Sequence, residues 1–240
     1  MSDRLFAAWG TPASPARHAL LRVEAQAYAL MLAERPDLTD PLLKDWVLAD
    51  RPLIARRRAP CDARDLVPAG IPLPPAHGKK RIALQLAPGA ILSLEPPPLL
   101  ADCAAFAPAG WRPAIEAIFH FCNGVGVEPR VFGALAWSAL TGLDYLSPSS
   151  DLDLLFAVAP DADVAALLEG LARIEAGAPM RLDGEILRLD AGLAANWREL
   201  AAGAEEILVK TIKDVALWPR RAFLTPGVAT RGARDWRAAS

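Results

Sequence analysis

Glu95-Pro96-Pro97-Pro98 constrains this chain more than any other stretch. Three consecutive prolines lack backbone donors and fix φ, so neither a helix nor an interior strand can run through them. The chain must therefore fold as elements before the run and elements after it. A domain boundary is placed there, giving an N-terminal domain over 1–95 and a second domain over 96–240. With 240 residues there is enough chain for both. The fold class expected is α/β (α+β in detail), with a small strand-rich domain followed by a mixed sheet flanked by helices.

Before the prolines, apolar residues at helical spacing predict a helix from Pro15 to Glu34, stopped at Arg35-Pro36. From Trp46 to Gly89, proline and glycine recur every few residues and predict short strands and turns. Within that stretch, Gly78-Lys79-Lys80-Arg81 forms a basic loop before an apolar run suited to a strand.

After the prolines, helices are expected over Pro113–Gly124, with Ile115, Ile118, Phe119 and Cys122 on one side, and over Leu135 to about Leu143. The run DLDLLFAV from Asp151 reads as a strand, Asp163–Glu175 as a helix, and MRLDGEILRL from Met180 as a strand or hairpin. A last helix is expected from Ala194 to Ile212, and the tail after Gly227 reads as polar and loose.

Bulk properties exclude several classes. A net charge of −2 with 22% charged residues offers no polyanion-binding surface, so nucleic acid is not an expected partner. Cys61, Cys103 and Cys122 lack the CxxC spacing of zinc or redox sites and read as thiols in a reducing compartment. No run approaches the roughly 18 apolar residues of a membrane span, and no signal pattern opens the chain. A soluble cytoplasmic protein is expected, with no membrane partner.

Asp151 and Asp153 carry the chemistry. Period two along a strand puts both on one face, about 7 Å apart at the backbone, while Leu152 and Leu154 turn to the core. Two carboxylates so placed can converge on magnesium, a hard ion that takes a few carboxylates together with substrate phosphates. Taken alone the pair also fits a solvated strand edge. The upstream order of strand, Gly133-Ala134, helix and polar loop adds a phosphate cradle, because glycine admits close backbone approach and the helix N-terminus attracts anions. A third acid is expected on a neighbouring strand; Asp183 in MRLDGEIL is favoured, and Glu185 on the same face competes.

These residues carry a resemblance. Gly133-Ala134, a helix, Asp151-Leu152-Asp153 and a later single acid resemble the nucleotidyltransferase superfamily of the polymerase-β type. More narrowly, VFGALAWSALTGLDYLSPSSDLDLLF resembles the catalytic segment of the malonate decarboxylase holo-acyl-carrier-protein synthases, the phosphoribosyl-dephospho-CoA transferase family. RPLIARRR, HGKKRIALQL, RLDGEI with Asn196-Trp197, and LVKT extend the likeness.

The resemblance implies transfer of the 2'-(5''-phosphoribosyl)-3'-dephospho-CoA group from its triphosphate precursor, 2'-(5''-triphosphoribosyl)-3'-dephospho-CoA. The acceptor would be a serine of the malonate decarboxylase acyl carrier protein, with release of pyrophosphate. It implies two Mg2+ ions held by Asp151, Asp153 and Asp183, the last also near the attacking serine. Ala134 stands where the superfamily usually has serine or glycine, so a backbone N–H replaces a hydroxyl in the cradle.

Lys79, Lys80 and Arg81 are expected to neutralise donor phosphates, or else to form a solvated turn. Arg56 and Arg58 invite the same reading with less support. Lys210 is expected to contact the leaving pyrophosphate, or else to be a surface lysine on an amphipathic helix. Trp111, Trp137 and Trp197 read as core, with Trp137 the best placed to stack on an adenine. Two alternatives stand beside this assignment. One is a nucleotidyltransferase of the same superfamily that uses a nucleoside triphosphate on a protein or small molecule; the other is a non-catalytic nucleotide-binding module.

Overall fold

The structure is a computed structural model and describes residues 9–188, 191–211 and 215–225. The chain separates into two units, 1–97 with 140–145, and 98–139 with 146–240. Among the described residues no helix is long and apolar enough to cross a membrane.

The described part of the N-terminal unit opens with a minimal ribbon, β1 (Gly10–Thr11) and β2 (Ser14–Pro15), and then β3 (Leu20–Val23). After α1 (Ala25–Ala33) and α2 (Pro41–Lys44) come β4 (Leu53–Ala55), β5 (Val67–Pro72), β6 (Arg81–Leu86) and β7 (Ile91–Glu95). Five strands form an antiparallel sheet in the order β6-β5-β4-β3-β7.

The helix expected over Pro15–Glu34 is only half present. His18 takes φ 65° and Leu20–Val23 become a strand between β4 and β7. Helix starts only where the Glu24 carboxylate accepts from the N–H groups of Gln26 and Ala27. Pairing on both edges of Leu20–Val23 outweighs helix propensities, which span only about 0.7 kcal/mol per residue among ordinary residues.

Leu21, Leu53, Ile71 and Leu84 from the sheet are buried with Tyr28, Leu43 and Trp46. The polar tips of the large residues are satisfied inside, because Tyr28 Oη donates to the Leu43 carbonyl at 2.8 Å and Trp46 Nε1 to that of Pro52 at 3.0 Å. Residues 140–145 join this unit through Tyr145, whose hydroxyl donates to the Pro72 carbonyl at 2.7 Å.

The C-terminal unit contains α3 (Leu100–Cys103), α4 (Arg112–Gly124), β8 (Pro129–Val131), α5 (Gly133–Thr141), β9 (Leu152–Val158) and α6 (Val164–Glu175). It continues with β10 (Leu182–Arg188), β11 (Leu193–Asn196), α7 (Trp197–Ala201), β12 (Glu206–Lys210), β13 (Val215–Pro219) and α8 (Arg220–Leu224). Its six strands run in the order β13-β12-β11-β10-β9-β8, and only β9 and β10 are parallel. That parallel pair is the crossover through α6, with an acid pair at its start.

Leu152, Leu154, Phe156, Leu182 and Ile186 are buried, and α4 and α6 contribute Ile115, Ile118, Leu167 and Leu171 to the core. Gly170 lets α6 close on α4, since a Cβ there would fall 2.0 Å from Phe121 Cζ. Cys103 and Cys122 are buried and Cys61 is exposed, all as free thiols. Burial raises both buried thiols to about 12, which leaves them protonated and inert.

The long helix expected over Ala194–Ile212 is instead a strand, one short helix and a second strand, with Ile212 outside the described residues, as is the tail after Gly227. Asn196 caps α7, Gly203 at φ 75° follows it, and Ile207 and Val209 alternate with exposed or half-buried neighbours as a strand requires. LVK therefore belongs to a sheet.

Candidate active site

Strand register puts polar residues of four C-terminal strands on one face. Asp153 on β9 lies directly beside Asp183 on β10, and Leu155 beside Glu185. Glu185 is in turn opposite Asn196 on β11, and Ala194 opposite Lys210 on β12. Residues paired across a sheet share a face, so Asp153, Asp183, Glu185, Asn196 and Lys210 form a contiguous polar strip. Arg130 on β8 pairs with Leu155 and joins its edge. Burial lowers the Arg130 pKa, and the nearby Glu128 and Asp102 oppose that shift.

Asp151 precedes β9. The turn Ser147–Ser150, closed by the Ser147 N–H donating to Ser150 Oγ at 2.9 Å, delivers it to the mouth of the strand. Its carboxylate lies 3.7 Å from Arg181 Nη1, and both side chains keep contact with solvent. Asp153 is held from the other side of the chain as well, since the Phe132 N–H donates to its carbonyl at 3.1 Å. That bond brings Gly133 over the Asp153 side chain. Gly133 has φ 67°, and a Cβ there would lie 1.8 Å from Asp153 Oδ2. Glycine is thus required for its backbone angle and for its missing side chain, and α5 begins at this point with Ala134 half-buried.

Asp183 is fixed through one oxygen. Its Oδ1 accepts from the Gly184 N–H at 2.8 Å and from Asn196 Nδ2 at 2.9 Å. Glu185 is different in kind. Its side chain is 4% exposed and forms an ion pair with Lys210 Nζ at 2.9 Å. A buried carboxylate beside an ammonium at that distance is largely compensated, whereas Asp183 keeps an oxygen outside its two bonds.

Lys210, expected within a helix and at the leaving pyrophosphate, is a strand residue with its charge engaged on Glu185. Trp111, Trp137 and Trp197 are all buried. Lys79, Lys80 and Arg81 belong to the N-terminal unit, exposed on the β5–β6 hairpin where Gly78 and Lys79 take φ 80° and 55°. Arg56 and Arg58 hold loops of that same unit. Arg56 grips both oxygens of Asp62, at 2.7 and 2.6 Å, and Arg58 donates to the carbonyls of Ala63 and Leu66.

Sequence reasoning missed Arg181 and Arg198, and gave Asn196 no role. Only the alternation of LDGEIL against LAAN contained a signal for Asn196, and reading it requires the hairpin register.

The donor set suits a hard cation. Among the described residues no three or more His, Cys, Asp or Glu side chains are drawn into a ready-made metal cage. Oxygen-only carboxylates on one open face, with a glycine clearing space at Asp153, fit an ion that brings water and phosphate oxygens as its other ligands.

Two family models match successive parts of the chain. Residues 16–97 match the model of the phosphoribosyl-dephospho-CoA transferase MdcG N-terminal domain, and residues 99–221 that of the MdcG C-terminal domain. A phosphoribosyl-dephospho-CoA transferase of Bradyrhizobium diazoefficiens is 42% identical over 212 residues, covering 88% of this chain and 93% of the relative. Proteins of that name from Xanthomonas axonopodis pv. citri and Xanthomonas campestris pv. campestris are each 38% identical over 209 residues, covering 86% of this chain and 95% of theirs. No solved structure matches significantly.

Proposed function

The chain belongs to the MdcG family of phosphoribosyl-dephospho-CoA transferases, and from that premise we propose that its C-terminal unit catalyses the transfer with Asp151, Asp153 and Asp183. The donor is 2'-(5''-triphosphoribosyl)-3'-dephospho-CoA and the acceptor is a serine of the malonate decarboxylase acyl carrier protein. The serine Oγ bonds to the α-phosphorus, the bond to the β-phosphate oxygen breaks, and pyrophosphate leaves with that electron pair.

The observation that carries this reading is the adjacent register of Asp153 and Asp183 beside a glycine whose Cβ would overlap Asp153. Asp151, Asp153 and Asp183 would hold Mg2+, two ions in all. When bound, the metal neutralises charge on the attacking and leaving oxygens of an in-line displacement. Asp183, anchored through Oδ1, accepts the serine proton as the new bond forms. The N-terminus of α5, opened by Gly133, presents backbone N–H groups to donor phosphates in place of a side-chain hydroxyl at Ala134.

Arg181, next to Asp151, adds a planar cation suited to phosphate. Lys210 acts first on Glu185: it compensates the buried carboxylate, which leaves Asp183 as the third ligand, and its remaining exposure of 22% faces the leaving pyrophosphate.

The test is incubation of the protein with apo carrier protein, the triphosphoribosyl donor and Mg2+, read by intact-protein mass spectrometry. The expected result is a mass gain on the carrier equal to the phosphoribosyl-dephospho-CoA group, lost in Asp151→Ala and Asp153→Ala proteins. A gain from ATP instead would reassign the donor, and full transfer by the alanine variants would remove the acids from the chemistry.

A further inference from the structure

β11 is shorter than the strand it pairs with. It covers β10 only from Glu185 to Arg188, so Leu182, Asp183 and Gly184 run beyond its end. In a parallel ladder alternate residues bond the neighbouring strand, and here the Leu152 N–H of β9 donates to the Arg181 carbonyl, just before β10, at 2.9 Å. The peptide groups of Leu182 therefore face the side where β11 is missing. Buried strand groups without a ladder partner need another one.

Side chains supply it. The Leu182 N–H donates to Glu175 Oε1 at 2.9 Å, and its carbonyl accepts from Trp197 Nε1 at 3.2 Å and Arg198 Nε at 3.1 Å. Arg198 also pairs with that same Glu175 carboxylate. The first residue of the set, Asn196, reaches one position further along β10: its Nδ2 donates to Asp183 Oδ1, while its own Oδ1 accepts the Arg198 N–H at 2.8 Å and caps α7.

We infer that Asn196 is the positioning residue for the Asp183 carboxylate, and that Asn196-Trp197-Arg198 acts as one clamp on the open edge of β10. This rests on the assignment of Asp183 made above. The Asn196 amide is bonded at both ends, so its rotamer is set by α7. Asp183 Oδ1 is held by two donors, so the carboxylate plane is set by Asn196 and Gly184 together. Oδ2 is then offered in one orientation to a cation or to the attacking hydroxyl. A partner of this kind typically affects metal affinity or turnover by 10–100-fold without touching the substrate.

Serine separates the two roles of Asn196, because it caps a helix as well as asparagine does but has no amide to reach Asp183. In full-length protein, Asn196→Ser is expected to melt close to the parent, to bind Mn2+ alone about tenfold more weakly by electron paramagnetic resonance, and to transfer with kcat about tenfold lower and donor KM little changed. Adding Asn196→Ser to Asp183→Ala is expected to weaken Mn2+ binding no further. Asn196→Asp keeps the cap and turns the donor into an acceptor, so it is expected to lose more than the serine variant and serves if that one folds poorly. Parental Mn2+ binding and kcat in either folded variant overturn the inference. If Asp183→Ala itself binds Mn2+ and transfers like the parent, the assignment of Asp183 fails first; if Asp183→Ala is inactive while Asn196→Ser is normal, only the positioning role fails.

Discussion

The two units use charge in opposite ways. In the N-terminal unit, Arg56 lies on Asp62, six residues along the chain, and also donates from Nε to the Ala69 carbonyl at 3.0 Å. The Asp62 carboxylate further accepts the Ala59 N–H at 2.6 Å. Every partner closes one loop onto the sheet, and the guanidinium holds the Asp62 carboxyl below the usual carboxylate range. In the C-terminal unit, charges from separate strands are placed side by side by register, and two acids at the start of β9 and β10 keep solvent contact. Loop-local pairing fastens the Arg56 loop, whereas register sets Asp153 and Asp183 side by side with solvent contact and buries Glu185 against Lys210. Both arrangements contain acids and arginines, so composition alone could not separate them.

That contrast can be broken at several points. The largest effect is expected from Asp153→Ala, whose loss of transfer should reach about 10³-fold or more, or about 4 kcal/mol at the transition state. Single-turnover transfer to the carrier protein, with folding checked by circular dichroism, measures it. Gly133→Ala is next. The added Cβ drives into the Asp153 carboxylate at a positive φ, and a displacement near 1 Å at a reacting group costs about 100-fold. An alanine variant with parental kcat would mean that the cradle does not need this clearance.

Arg56→Ala should do the reverse, lowering stability by about 2–3 kcal/mol while leaving kcat unchanged in folded protein. The figure sits below that of a fully dry pair because Arg56 remains 24% exposed. Thermal or urea unfolding reads it. The same pair sets a pH dependence. Because the folded Asp62 pKa is depressed, its contribution is present above the unfolded value of about 3.9 and is lost as pH falls through the folded one. Acid unfolding should therefore begin at higher pH in Arg56→Ala protein. The smallest effect is reserved for Lys79→Ala with Lys80→Ala, which should shift stability by under about 0.5 kcal/mol. Urea unfolding of the double variant beside the parent measures it.

Much of the fold was legible because its signals are local. DLDLLFAV alternates, Asp163 caps a helix, and the proline run stops every element that meets it. Where local preference and pairing disagreed, the sequence misled. Leu20–Val23 look helical but are held between two strands, and Ile207–Lys210 look like the end of a helix but pair with β11 and β13. The acids were legible as a spacing, and so was the glycine before them. Lys210 was visible as a cation, but its partner Glu185 lies 25 residues away and only strand order reveals it. Asn196 was hidden for a similar reason: a helix expected over Ala194–Ile212 leaves it no end to cap, and its bond to Asp183 needs the hairpin register.

The short β11 also bears on how the chain acquires its activity. The side-chain hydrogen bonds that hold Asp183 and the Leu182 backbone lie between Glu175 and Arg198 and join partners at most 16 apart in sequence, against 21 for Phe132 and Asp153. Contacts of such low separation lose little loop entropy on closing and form early. The third carboxylate is expected to reach its final pose as a local folding event, ahead of the docking of Gly133 on Asp153. Pulse-labelled hydrogen exchange during refolding should then protect the Leu182 amide before that of Phe132.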